Sequence, residues 1–193
     1  MTRNKILGAA FAEFYRHGFQ GGSLNHIVQT AGTTKGALFH HFDGKYALGY
    51  AVVDELIEPL LMQRWLDPLT ATTDPIAEIK RAFRRFIRED IESGSWVNGC
   101  PLNNLAQEMS PLDDGFRTRI ETLYATWRKQ FAAALARGVK AGTVRKSIDA
   151  RDVASLLVVS QMGIWGTGKY SQNKALMTQA GEALCDYLDT LKA

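Results

Sequence analysis

Apolar residues recur along this chain at intervals of three and four, the period of an amphipathic helix, and no stretch alternates long enough to predict a strand. Ile6, Ala10, Phe11, Phe14 and Tyr15 mark a first helix, stopped by Gly18. Leu24, Ile27, Val28 and Ala31 form one short apolar face, and Leu38, Phe39 and Phe42 form the next. A long helix is predicted from about Lys45 to Trp65, with Leu48, Val52, Leu56, Leu60 and Leu61 on its stripe. Pro59 inside it removes one backbone hydrogen bond and predicts a kink. Asp74 followed by Pro75 opens another helix, with Ile76, Ile79, Phe83, Phe86 and Ile87 inward and Lys80, Arg81, Arg84 and Arg88 outward.

A break at Ser93, Gly94 and Ser95 leads to a short helix opening at Cys100 and Pro101. A long helix follows, with Phe116, Ile120, Leu123, Trp127, Phe131 and Leu135 on one face, and ends at Gly142. Asp149 caps a helix that is apolar nearly all round and must be covered on every side, through Val153, Leu156, Leu157, Val158, Val159, Met162, Ile164 and Trp165. The last helix, from about Lys174 to Leu191, presents Leu176, Ala180, Leu184, Tyr187, Leu188 and Leu191. The expected fold class is therefore all-α: three short helices, then about six longer ones, about nine in all, without internal repeats.

Composition narrows the field. With 193 residues, 46% hydrophobic and 22% charged, the chain can bury a sizeable core and does not read as disordered. Two cysteines, Cys100 and Cys185, make neither a disulfide scaffold nor a four-cysteine zinc site. The longest uncharged stretch, Val153 to Gly168, is too short and too polar for a membrane span, and the opening residues do not read as a signal peptide. A soluble, cytoplasmic protein without membrane association is expected. The net charge of +3 lies wholly in the first 50 residues, where five basic side chains face two acidic ones; the other 143 residues hold 18 of each. All four histidines, His17, His26, His40 and His41, also fall in the first 41 residues. Such asymmetry points to an anionic partner for that segment, nucleic acid above all.

The segment from Ser23 to Phe42 says how such a partner would be met. Ser23 is a sound N-cap, its helix ends at Ala31, and Gly32 is free to take a positive φ. Thr33 can cap a second helix at once, and two helices joined by so short a turn cross steeply, which is helix-turn-helix geometry. Leu38 and Phe42 would hold the second helix down. Its exposed start offers Thr34, Lys35 and Gly36, with Phe39, His40 and His41 a turn later: hydroxyls, a cation, an approachable backbone and a ring for a thymine methyl.

These residues resemble the tetracycline-repressor family of bacterial transcriptional regulators. The resemblance rests on Ala31-Gly32, on the run Lys35, Gly36, Ala37, Leu38, Phe39, His40, His41 and Phe42, on Lys45, and on Ile6 to Phe11 with Gly18-Phe19. It covers roughly residues 4–55. Phe39 stands where tyrosine is more usual and Leu24 where a threonine is common, departures that bear on operator preference. The resemblance implies a homodimeric regulator with a helix-turn-helix domain over 1–45 and a ligand-binding and dimerisation domain over 46–193. Candidate DNA contacts are Ser23, Asn25, Thr33, Thr34, Lys35, Gly36, Phe39, His40, His41 and Lys45. The implied partners are double-stranded operator DNA, a small-molecule effector and a second copy of the chain, and repression relieved by a largely apolar effector is the expected action.

The remaining half is read from its own residues. Trp65, Phe83, Ile87, Leu105, Met109, Tyr124, Trp127, Met162 and Trp165 are ordinary core by spacing, yet aromatic groups with polar atoms converging from several helices also line amphipathic cavities. Gly99 to Leu105 carries a looser likeness to family members that sense electrophiles, drugs or small organic acids. Cys100 at a helix N-terminus is accordingly the candidate for an alternative, thiol-based sensor, against a small residue in a tight turn. Val153, Leu156, Leu157, Ser160, Ile164, Ala180, Leu184, Tyr187 and Leu188 are the candidate dimer interface. No cofactor or metal is expected. The spacing from Gly163 to Gly168-Lys169 imitates a phosphate loop, but Tyr170 replaces the required hydroxyl residue and no strand precedes it. An enzyme would need a nucleophile with its base or paired carboxylates, and no such cluster is visible, so a non-enzymatic regulator is expected over a small all-α enzyme.

Overall fold

The computed structural model describes residues 2–193. Among them the regular structure is helical: α1 (Thr2–His17), α2 (Leu24–Thr30), α3 (Lys35–His41), α4 (Gly44–Val52), α5 (Glu58–Leu61), α6 (Pro75–Ser93), α7 (Pro101–Met109), α8 (Asp114–Ala141), α9 (Ala150–Ser171) and α10 (Lys174–Asp189). An isolated antiparallel bridge joins Val144 to Lys192. The all-α expectation holds, and the helix count is nine when the run from α4 through α5 is taken as one element.

That run corrects the predicted stripe. Wide π turns occupy Val53–Ile57 and Met62–Leu66, on either side of α5, and each inserts an extra residue per turn. Leu48, Val52 and Leu61 are buried as expected, but Val53, Ile57 and Trp65 are buried with them, Leu56 is half-buried and Leu60 is exposed. Pro59 lies just after the first wide turn, where Glu58 N–H reaches back five residues to the Val53 carbonyl. The missing donor is absorbed by a change of winding rather than by an added break.

The chain divides into two compact units. The first contains the residues up to Leu60 together with Pro101–Thr122, so the expected boundary at residue 45 does not coincide with it. The reason is packing: Phe19, after α1, meets Phe14 at 5.1 Å and Phe116, from the start of α8, at 4.8 Å between ring centroids. Gly49 makes this approach possible, since a Cβ there would lie 2.5 Å from Phe19 and 2.7 Å from Phe116. Burial of each phenylalanine contributes about 1.5–3 kcal/mol.

The second unit contains Leu61–Cys100 and Leu123–Ala193. α6, α9 and α10 pack against one another here, with Gly181 of α10 admitting the end of Ile87. Its helices start as the sequence predicts: Asp74 accepts from Ala77 N–H at 3.1 Å with Pro75 behind it, and Asp149 accepts from Arg151 N–H at 2.7 Å. Its centre is a cluster of rings in which Trp65 lies 4.9 Å from Phe83, 4.7 Å from Phe86, 5.9 Å from Trp127 and 5.7 Å from Trp165. One buried carboxylate serves this core. Asp90 accepts from Trp165 Nε1 at 2.6 Å and from Arg64 Nη2 at 2.7 Å.

Candidate nucleic-acid interface and effector region

α2 is set by groups at both ends. Ser23 is its N-cap, accepting from His26 N–H at 3.4 Å. Beneath it the buried Glu13 of α1 takes Ser23 N–H at 2.9 Å and His26 Nδ1 at 2.6 Å. Burial alone would raise the Glu13 carboxyl, but the Ser23 N–H and the two histidines His26 and His17 outweigh it and hold the group below its ordinary range. At the other end Ala31 is the C-cap and Gly32 adopts φ +59°, the left-handed conformation the sequence calls for.

The cap of α3 is Thr34, not Thr33. Thr33 N–H closes the preceding helix on the Val28 carbonyl at 3.1 Å, so Thr33 still belongs to the turn. Thr34 is the first residue free to be extended, and its hydroxyl accepts from Ala37 N–H at 3.2 Å. Leu38 and Phe42 are buried and fix the helix. The opposite side presents Thr34, Lys35, Gly36, Phe39 and His40 to solvent, and Phe39 keeps 54% of its surface exposed. Asn25 and Ser23 at the start of α2 are also exposed, while Thr33 and His41 are half-buried.

Not every basic residue of the first segment is equally available. Arg3 is engaged by Glu55 at 2.5 Å and lies over the Phe42 ring. Lys45, half-buried, donates to the Gln20 carbonyl at 3.0 Å and sits 5.1 Å from the Phe19 ring centroid. Burial lowers its pKa, opposed by the charges of Glu108 and Glu13. The same loop is held from α7, where Glu108 accepts from Phe19 N–H and Gln20 N–H, each at 2.8 Å.

The residues expected to line an effector cavity fall in both compact units. Trp65, Phe83, Trp127 and Trp165 fill one another's space as packed rings, and Ile87 fills the notch at Gly181. Leu105 and Met109 are buried in the other compact unit. Cys100, directly before α7, is buried at 4% exposure. Tyr124 is buried 5.9 Å from the Trp127 ring. Burial, with the nearby Cys100 adding to it, pushes its phenol well above the ordinary value, so its hydroxyl remains a donor. Met162 is half-buried. Sequence reasoning missed Glu13, Glu108, Asp90 and Arg64, and the one available signal was a charged residue falling on an otherwise apolar helical face.

The proposed dimer surface also needs correction. Leu157 and Leu188 are fully buried within the protomer, and Val153, Ile164 and Leu184 nearly so, because the inward faces of α9 and α10 are covered by their own unit. The apolar side chains left in solvent are Leu156, Val159 and Tyr170 on α9, with Leu176 and Tyr187 on α10. Ser160 and Ala180 are half-buried.

A capped helix, a tight glycine turn and a second helix with an exposed hydroxyl, cation and ring define a helix-turn-helix DNA-binding regulator. Residues 6–52 match the family described as bacterial regulatory proteins, tetR family, and residues 75–184 match the tetracyclin repressor-like C-terminal domain. The chain belongs to the tetracycline-repressor family of transcriptional regulators. It is 27% identical over 92% of its length to the transcriptional repressor DhaR of Mycobacterium sp. strain GP1, covering 87% of that protein. It is 33% identical over 69% of its length to the regulator LmrA of Bacillus subtilis, covering 71% of it. In fold it superposes on a TetR-family regulator from Cytophaga hutchinsonii with a TM-score of 0.89, at 21% identity, over 100% of this chain and 95% of the other. The reduced form of Escherichia coli NemR gives 0.82 at 21% identity, over 100% of this chain and 98% of that one.

Proposed function

We propose that this regulator is a homodimeric, cytoplasmic repressor that reads a palindromic operator through α3 and leaves it when a small molecule enters the second unit. The observation that carries the reading is the solvent-facing set Thr34, Lys35, Gly36, Phe39 and His40 on a helix whose other side is fixed by Leu38 and Phe42. Two such helices related by a two-fold axis would meet successive major grooves about 34–36 Å apart. The unpartnered apolar side chains of α9 and α10, above all Leu156 and Val159, support pairing through that face. The effector would be mainly apolar, in keeping with the rings around Trp127, with a hydrogen-bond acceptor for the buried Tyr124 hydroxyl, which has no hydrogen-bond partner among the described residues. Burial of Cys100 weighs against the thiol-based alternative, and the family's role as regulators weighs against an enzyme.

Selection of bound sequences from a random duplex pool tests this. An inverted repeat that Lys35→Ala binds more weakly supports the reading, and enrichment of no sequence by the wild-type chain rules it out.

A further inference from the structure

Along the outward side of α6 the chain carries a stripe of cations that DNA reading does not use. Lys80, Arg81, Arg84, Arg85 and Arg88 fall on one side of the helix, and Lys192 from the chain end joins them around a groove of about 560 Å³ floored by Ala77. That volume lies within the range of small-molecule sites. No carboxylate lines the groove itself.

The acidic residues stand around it. Glu182 of α10 takes Arg84 in a forked pair, with Nε at 2.9 Å and Nη2 at 2.6 Å. Asp189 takes Lys80 and, at 2.6 Å, Lys192; hydrogen bonds from those two lysines hold its carboxyl down to about 2. Glu78 pairs with Arg81, and Glu89 lies 3.7 Å from Arg85. Six cations thus meet four carboxylates, and Arg88 has no carboxylate partner among the described residues. The pairing immobilises the guanidinium groups by one edge while Arg84 keeps Nη1 and Arg81 keeps Nε and Nη2 out of those ion pairs. Pre-placed planar forks with unused N–H groups are the geometry that binds phosphate oxygens in pairs.

We propose that this groove binds a compact phosphate-bearing anion, a pyrophosphate group or the polyphosphate of a nucleotide. From Lys80 to Arg88 the helix rises about 12 Å, room for two or three linked phosphates but not for an extended polymer. Glu78 and Glu89 flank the ends of the stripe and Glu182 and Asp189 its α10 side. They confine the positive field, and a duplex running past the groove would meet them and be repelled. The site is independent of α3 and does not rest on the operator reading.

Calorimetric titration of the purified full chain with inorganic pyrophosphate and with ATP, in magnesium-free buffer, tests the proposal. Saturable binding of one anion per protomer is expected, with no comparable heat from sulfate at matched ionic strength. The exposed double variant Arg81→Ala/Arg88→Ala, checked for an unchanged helical spectrum, should bind pyrophosphate about tenfold or more weakly. Absence of saturable binding by the wild type, or unchanged affinity in the variant, overturns the proposal. Loss of affinity for duplex DNA in the variant with pyrophosphate binding intact overturns it too, and assigns the stripe to nucleic acid.

Discussion

Glu108 holds Phe19 by its backbone: a carboxylate oxygen lies 2.8 Å from Phe19 N, and the other oxygen reaches Gln20 N at the same distance. Gly18 makes room, since a Cβ there would come within 3.0 Å of that carboxylate. Glu108→Ala strips both N–H groups of their acceptor and is expected to cost about 1–2 kcal/mol, part of each group being open to water. Glu108→Gln, which keeps one acceptor oxygen, should lose less. Chemical denaturation gives the magnitude, and faster amide exchange confined to Phe19 and Gln20 would locate it.

Lys35 and Lys45 should behave differently although the sequence pairs them. Lys35 is exposed on α3, so Lys35→Ala should weaken DNA binding and reduce the salt slope by about one phosphate contact. Lys45 is tied to the Gln20 carbonyl, so Lys45→Ala should lower the melting temperature and change the slope less. Titrations at several salt concentrations separate the two, and equal slopes in both variants would contradict these roles.

Acid should loosen the junction of α1 and α2. The Glu13 carboxyl is held below its ordinary range when folded. Its contribution is therefore fully present above the glutamate value of the unfolded chain and is lost as pH falls through the lower folded value. Glu13→Gln should flatten the acid side of a stability-against-pH curve, and a curve superposable on the wild type would show that Glu13 is not the group responsible.

On α9, neighbouring apolar residues should give opposite phenotypes. Val159→Asp places a charge on an exposed position, so the variant should fold as a monomer and lose most operator affinity. Leu157→Asp places one in the protomer core and should prevent folding altogether. Sedimentation and circular dichroism read the two outcomes, and a Val159→Asp chain that remains dimeric moves the interface elsewhere.

Asp90→Ala should be among the most damaging substitutions in the second unit. It leaves Trp165 Nε1 without its acceptor and the Arg64 guanidinium with only Glu89, 3.8 Å away, as a carboxylate partner, a loss of about 3 kcal/mol. Asp90→Asn should recover the tryptophan contact and only part of the stability.

The helix pattern, the caps at Asp74 and Asp149 and the turn at Gly32 were legible because each depends on residues within four or five positions. The exposed face of α3 was legible for the same reason, apart from the one-residue slip of its cap from Thr33 to Thr34, decided by which residue closes α2. Glu108 was not, because its partners lie 88 and 89 residues away and periodicity reports a face but not what faces it. The burial of Val53 and Ile57 in place of Leu56 and Leu60 came from π turns, which shift the apolar register by a change of winding that a count of three and four does not anticipate. Leu157 and Leu156 show the limit of periodicity on an all-round apolar helix: one is buried and its neighbour exposed, and the pattern does not say which.

The ring cluster has an optical consequence. Three of the four tryptophans, Trp65, Trp127 and Trp165, lie within 5.9 Å of one another through Trp65. At such separations the indoles share excitation and quench or transfer among themselves, so emission reports the cluster as a whole rather than any one residue. Because all three are buried, the cluster should emit at short wavelength while the core is intact and shift to the red once it opens to water. The fourth, Trp96, lies outside the cluster and supplies a separate signal. The chain therefore carries its own fluorescent gauge of the second unit, usable without a label or a known effector.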